Sequence, residues 1–115
     1  MTRNIIHKDL AAGRWFELSL VDQLGNIGSE VGRAANWQGK NEENFKGAVE
    51  RALELFDLTL EDPRWIGRRQ EVGRAREVFC DAVLGGKEYK STLRGLADDY
   101  FLPFAYAARN VVLVK

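Results

Sequence analysis

Leu20, Leu24, Ile27, Val31 and Ala34 recur at alternating spacings of four and three. That spacing lays one apolar stripe along a helix, whereas a strand returns to the same face every two residues. It predicts a first helix over residues 17–38. The same period continues through Phe45, Ala48/Val49, Ala52, Leu55/Phe56 and Thr59. Leu53, Leu58 and Leu60 widen this second stripe, so the second helix, over residues 41–62, should be the most buried. Asn41 suits its N-cap, and Glu42 and Glu43 suit the positive end of its dipole. Asp62-Pro63 then reads as an N-cap acid followed by proline at the first helical position. The third helix runs over residues 63–84 with Val72, Ala75, Phe79 and Ala82/Val83 inward, and Gly85-Gly86 ends it. Ser91 or Thr92 caps a fourth helix, with Leu93, Leu96/Ala97, Tyr100/Phe101, Phe104 and Ala108 inward. Pro103 inside that pattern should kink it near Leu102.

Four helices of similar length with short links predict an all-α, antiparallel up-down-up-down four-helix bundle. One domain should span residues 1–115, a length suited to a single core. Residues 1–15 read as a loosely ordered N-terminal segment and residues 110–115 as an apolar tail. The tail is either a frayed end or a segment packing on another subunit. Only the tail and Arg14–Leu20 compete as strands. Gly25, Gly28 and Gly32 lie inside the first helix, each costing about 1 kcal/mol relative to alanine. Close packing of a neighbouring helix against a small-residue face compensates for that cost; a ligand approaching the backbone is the alternative.

Several function classes are excluded. One cysteine, Cys80, and one histidine, His7, leave no internal disulfide framework, no Cys/His zinc site and no Ser-His-Asp triad within the fold. Cys80 reads as a small buried filler and His7 receives no role. The longest apolar runs are too short for a membrane span. MTRNIIHKDLAAGRW lacks the apolar core of a secretory signal, which predicts a cytoplasmic protein. A di-iron bundle needs Glu-x-x-His on two helices, and none is present. The arginine-histidine motif of HEPN ribonucleases is missing too. Gly85-Gly86-Lys87 lacks the spacing of a phosphate-binding loop.

The net charge is zero, but unevenly spread. Residues 41–62 hold two basic against seven acidic side chains, and residues 63–90 hold seven against four. Glu50, Glu54, Asp57 and Glu61 follow one another at helical spacing on one face. Like charges so placed repel and call for partners, either arginines of a neighbouring helix or a metal ion. Arg64, Arg68, Arg69, Arg74 and Arg76 crowd the first half of the third helix around Trp65. Such a cluster pairs with carboxylates of the second helix, or grips phosphates through guanidinium forks. Arg74 and Arg76 flank Ala75, so one of them should approach the interior and need Glu30, Glu54 or Glu77. Trp15, Trp37 and Trp65 stand near helix ends as core caps or as interface anchors.

Two resemblances bear on function. Glu54-x-x-Asp57 resembles half of the carboxylate pattern of MazG-type all-α nucleotide pyrophosphatases, which bind magnesium; Arg33 stands where the other half needs an acid. That resemblance implies metal ligation by Glu50, Glu54 and Asp57. More broadly, SLVDQLGNIGSEVGRAANW, FKGAVERALELFDLTLEDPRW, GRAREVFCDAVLGG and YFLPFAYAAR resemble small prokaryotic four-helix proteins. These are similar in layout to the proteins encoded by intervening sequences of bacterial ribosomal RNA genes. Their superfamily includes Avd, the accessory variability determinant of diversity-generating retroelements. This resemblance implies a closed homo-oligomer, typically a pentamer, that binds RNA or DNA and a reverse transcriptase. Nucleic-acid-binding members are basic, so in this neutral chain the contacts would fall to Arg64, Arg68, Arg69 and Arg76, with Lys87 and Lys90 at the rim. The expectation is a non-enzymatic oligomeric accessory protein without cofactor; the alternatives are the pyrophosphatase and a protein-only adaptor.

Overall fold

The computed structural model describes residues 13–113, with side chains through Ala108. Every regular element among the described residues is helical. Four main helices follow in order: α1 (Leu20–Trp37), α2 (Glu42–Glu61), α3 (Arg69–Val83) and α4 (residues 93–113). Short 3-10 turns at Arg14–Glu17 and Pro63–Arg68 precede α1 and α3. Side chains cap the starts of α1, α2 and α4. Ser19 accepts the amide of Asp22, Asn41 that of Asn44, and Thr92 that of Gly95. Gly85 and Gly86 leave α3 at φ of 116° and 74°, a region only glycine enters freely.

All five residues of the α1 stripe are buried, none more than 8% exposed. Helix α1 packs along both α2 and α4, and α3 lies on α2. Phe56 of α2 meets Phe79 of α3 at a ring distance of 5.7 Å and Phe101 of α4 at 6.0 Å, so one aromatic cluster ties three helices. A Cβ on Gly28 would sit 2.5 Å from the Phe101 Cβ, and one on Gly25 3.3 Å from the Ala105 Cα. These two glycines therefore let α4 approach α1, as expected. Gly32 has no neighbour within 4 Å of such an atom, so packing does not explain it.

The structure departs from expectation at both ends and at two bends. Residues 1–12 lie outside the described residues, but Trp15, placed in the loose segment, is buried in the core. Arg14–Glu17 winds as a 3-10 turn and not as a strand. The third helix does not start as an α-helix at Pro63. Residues Pro63–Arg68 wind more tightly, with Trp65 at φ −106°, ψ 24°, and α3 begins at Arg69. Pro103 leaves its mark upstream: Leu96–Phe101 is a π-helical segment, set between α-helical Leu93–Gly95 and Leu102–Leu113. The wider winding relieves the clash between a proline ring and the carbonyl four residues before it. The backbone stays helical to Leu113; the side chains of the apolar tail lie outside the described residues.

Candidate binding groove

A polar network missed by the sequence reading fixes one end of the molecule. Gln23 and Thr59 are fully buried, and Asp62 is 1% exposed. The Gln23 amide donates to the Trp15 carbonyl at 3.0 Å and to the Asp62 carboxylate at 3.1 Å. Its oxygen accepts from the Trp65 indole at 2.8 Å. The Trp15 indole donates to the Thr59 hydroxyl, which donates on to the Leu55 carbonyl. Asp62 also receives the Arg64 amide and guanidinium, and that guanidinium reaches the Leu18 carbonyl at 2.6 Å. The Arg64 fork holds the Asp62 carboxyl below its ordinary value of 3.8. Every buried side-chain N or O among the described residues has a partner. A network closed in this way rigidifies; it offers no open valence to a ligand. The one sequence signal for it was Gln23, three residues after Leu20 on the apolar stripe.

The arginines of the expected binding surface are mostly engaged within the chain. Arg64 pairs with Asp62 at 2.7 Å, its fork lying over the Trp65 ring at 4.4 Å. Arg68 pairs with Glu71 at 2.7 Å and Arg74 with Glu77 at 3.7 Å, each three residues along. Arg69 donates to the Leu60 carbonyl at 3.1 Å. Arg76 crosses to the acidic face of α2, meeting Asp57 at 2.9 Å. Lys87 and Lys90 are exposed in the connection after α3. Glu30 serves Arg33 and Arg51 and not the α3 arginines.

The carboxylates of α2 do not share one exposed face. Glu50 and Glu61 are exposed, Glu54 is buried, and Asp57 is held by Arg76. No group of three or more His, Cys, Asp or Glu among the described residues could hold a metal ion. Cys80 is half-buried, with the Arg76 guanidinium 3.9 Å from its Sγ. Trp37 is 40% exposed.

The structure instead brings together a groove between α3 and α4. The two backbones come close chiefly at the first turn of α4. Beyond that point lies a groove of 320 Å³ floored by Ala75, Val78, Leu96 and Tyr100, with Glu71 and Arg74 on its rim. The π winding of Leu96–Phe101 supplies the α4 wall. A more polar hollow, lined by Lys90, Thr92 and Asp99, continues from it through the shared Leu96 and Tyr100. The Tyr100 hydroxyl reaches Glu71 at 3.4 Å. Burial of the ring, reinforced by the Glu71 charge, pushes that hydroxyl up to about 12. Tyr100 is therefore a neutral hydroxyl across the working pH range. Tyr89, an exposed ring, lies under the Arg74 guanidinium at 5.8 Å. No helix among the described residues is long and apolar enough to cross a membrane. Comparisons with protein-family models, curated proteins and solved structures return no match to this chain.

Proposed function

We propose that this chain is a non-enzymatic accessory protein that works as a homo-oligomer, its helices arranged as an antiparallel up-down-up-down bundle. The observation that carries this reading is the apolar groove left where α3 and α4 part. Contiguous apolar floor with charges confined to the rim is the usual make-up of a protein contact. Zero net charge removes the long-range repulsion that keeps copies of a charged chain apart. Carboxylates beside Arg64, Arg68, Arg74 and Arg76 cancel much of the local positive field, so the support favours protein surfaces over phosphate backbones. Partner recruitment, to a reverse transcriptase or to RNA or DNA, would be a second step built on the assembly.

Mass by light scattering on a sizing column, at low and high salt, tests the reading. The expected result is a discrete multiple of 13.0 kDa that salt leaves unchanged, because apolar contacts are not screened. A monomer under both conditions would overturn it. Melting with and without millimolar magnesium or manganese tests the enzymatic alternative through Glu50, Glu54 and Asp57. An ion bound to the folded state raises the melting temperature by mass action, and Glu54→Gln would abolish the rise. No rise is expected.

A further inference from the structure

We propose that the polar hollow at the start of α4 binds a free α-amino acid with an apolar side chain, its carboxylate toward Lys90 and its ammonium toward Asp99. The assignment stands without the self-assembly reading, because the hollow shares only Leu96 and Tyr100 with the apolar groove. Its volume is 430 Å³, a size that suits a small molecule. Charge selects the ligand. Arg64, Arg68, Arg74, Arg76 and Arg94 each hold a carboxylate of this chain. Lys90 and Asp99 line one hollow, yet among the described residues neither is in an ion pair, with the other or with a neighbour. An ammonium and a carboxylate that share a cavity without meeting are matched by a ligand carrying both charges. A ligand with one charge leaves the other side chain unmatched.

Two backbone features shape the site. Gly95 lies in the first turn of α4, although glycine weakens a helix. A Cβ there would stand 3.1 Å from Thr92 Oγ1 and 4.0 Å from Asp99 Oδ2, so its absence leaves both oxygens within reach. Thr92 Oγ1 accepts the Gly95 amide at 2.9 Å, which leaves the hydroxyl proton for a carboxylate. Lys90 holds φ at 61°, a left-handed conformation that lysine seldom takes. Such conformations collect at binding sites, where the surrounding structure has to hold them. Here the Lys90 amide is tied to the Gly86 carbonyl at 3.0 Å. Beyond the charges the wall turns apolar through Leu96 and the half-buried Tyr100. An aliphatic or aromatic side chain laid over these two leaves water and adds affinity that glycine lacks.

Isothermal titration of the purified chain with L-leucine and, separately, L-phenylalanine tests this. Saturable binding of one ligand per chain is expected. Leucinamide has no carboxylate and N-acetyl-leucine has no ammonium, so each should bind at least about tenfold more weakly than leucine. Glycine should be weaker too, for want of a side chain. Lys90→Asn keeps a residue type that tolerates positive φ, and Asp99→Asn alters an exposed position, so both variants should keep the wild-type melting curve. Each should weaken leucine binding at least about tenfold. The charges also pair off: Asp99→Asn should leave the binding of N-acetyl-leucine unchanged, and Lys90→Asn that of leucinamide. Absence of binding by either amino acid at tens of millimolar overturns the assignment. Binding that both variants leave intact places the ligand elsewhere and overturns it as well. Neither result touches self-assembly, which the mass of the ligand-free chain decides.

Discussion

Replacing Gly28 by alanine tests the helix contact that positions α4 and its wall of the groove. The new Cβ would arrive 2.5 Å from the Phe101 Cβ, about 1 Å inside ordinary contact. Phe101 cannot rotate its Cβ away, because that atom is fixed to the backbone. Its ring is also locked between Phe56 and Tyr100. The helices must therefore separate, and overpacking of this kind costs about 1–3 kcal/mol. Alanine returns about 1 kcal/mol of helix propensity, so with the clash near the top of its range the net loss is about 2 kcal/mol. For a domain of this size that lowers the melting temperature by about 6–12 °C. Gly32→Ala supplies the control one turn on. Nothing stands within 4 Å of its new methyl, so the propensity gain of about 1 kcal/mol should raise the melting temperature by about 3–6 °C. Thermal melts by circular dichroism at one protein concentration read both variants. Shifts of the same sign, or a stabilised Gly28→Ala, would refute the close approach of α1 and α4.

Three further outcomes follow from the polar contacts. Gln23→Leu strands the Trp65 indole and part of the Asp62 carboxylate; a loss of about 2–3 kcal/mol is expected, with altered tryptophan fluorescence. Asp62 titrates below its ordinary value when folded, so its contribution is complete above about pH 4 and drains away as the pH falls through the lower folded value. Asp62→Asn should be less stable at neutral pH and lose less on acidification, so the two melting curves converge as the pH falls below about 4. Arg68→Ala with Arg69→Ala should change the melting temperature by no more than about 2 °C, as exposed pairs contribute little. Arg76→Ala, which removes the bridge from α3 to Asp57 of α2, should cost more, about 1 kcal/mol.

Much of the helical layout was legible because periodicity states it locally. The stripe from Leu20 to Ala34, the Asn41 cap and the Gly85-Gly86 stop each depend on a few neighbouring residues. What stayed hidden depends on how the helices meet. Gln23 shares the buried face, three residues after Leu20, but its polarity kept it off the apolar stripe. The pairs Arg68–Glu71 and Arg74–Glu77 were visible as spacings, whereas Arg76–Asp57 needs the rotation of α3 against α2. Pro103 announced an irregularity without saying that the strain would be taken up upstream, over Leu96–Phe101. The groove depends on how α3 and α4 meet, which no local pattern encodes.

The central claim is that this chain assembles with itself through the open α3–α4 edge. Val78, on the floor of the groove, is the side chain to change. Light-scattering mass of the wild type beside Val78→Glu, at matched concentrations and with melts to confirm folding, is the direct measurement. The expected result is a wild-type mass at a multiple of 13.0 kDa and a folded variant at 13.0 kDa. Equal masses for the two folded proteins, whether monomer or oligomer, would contradict the claim.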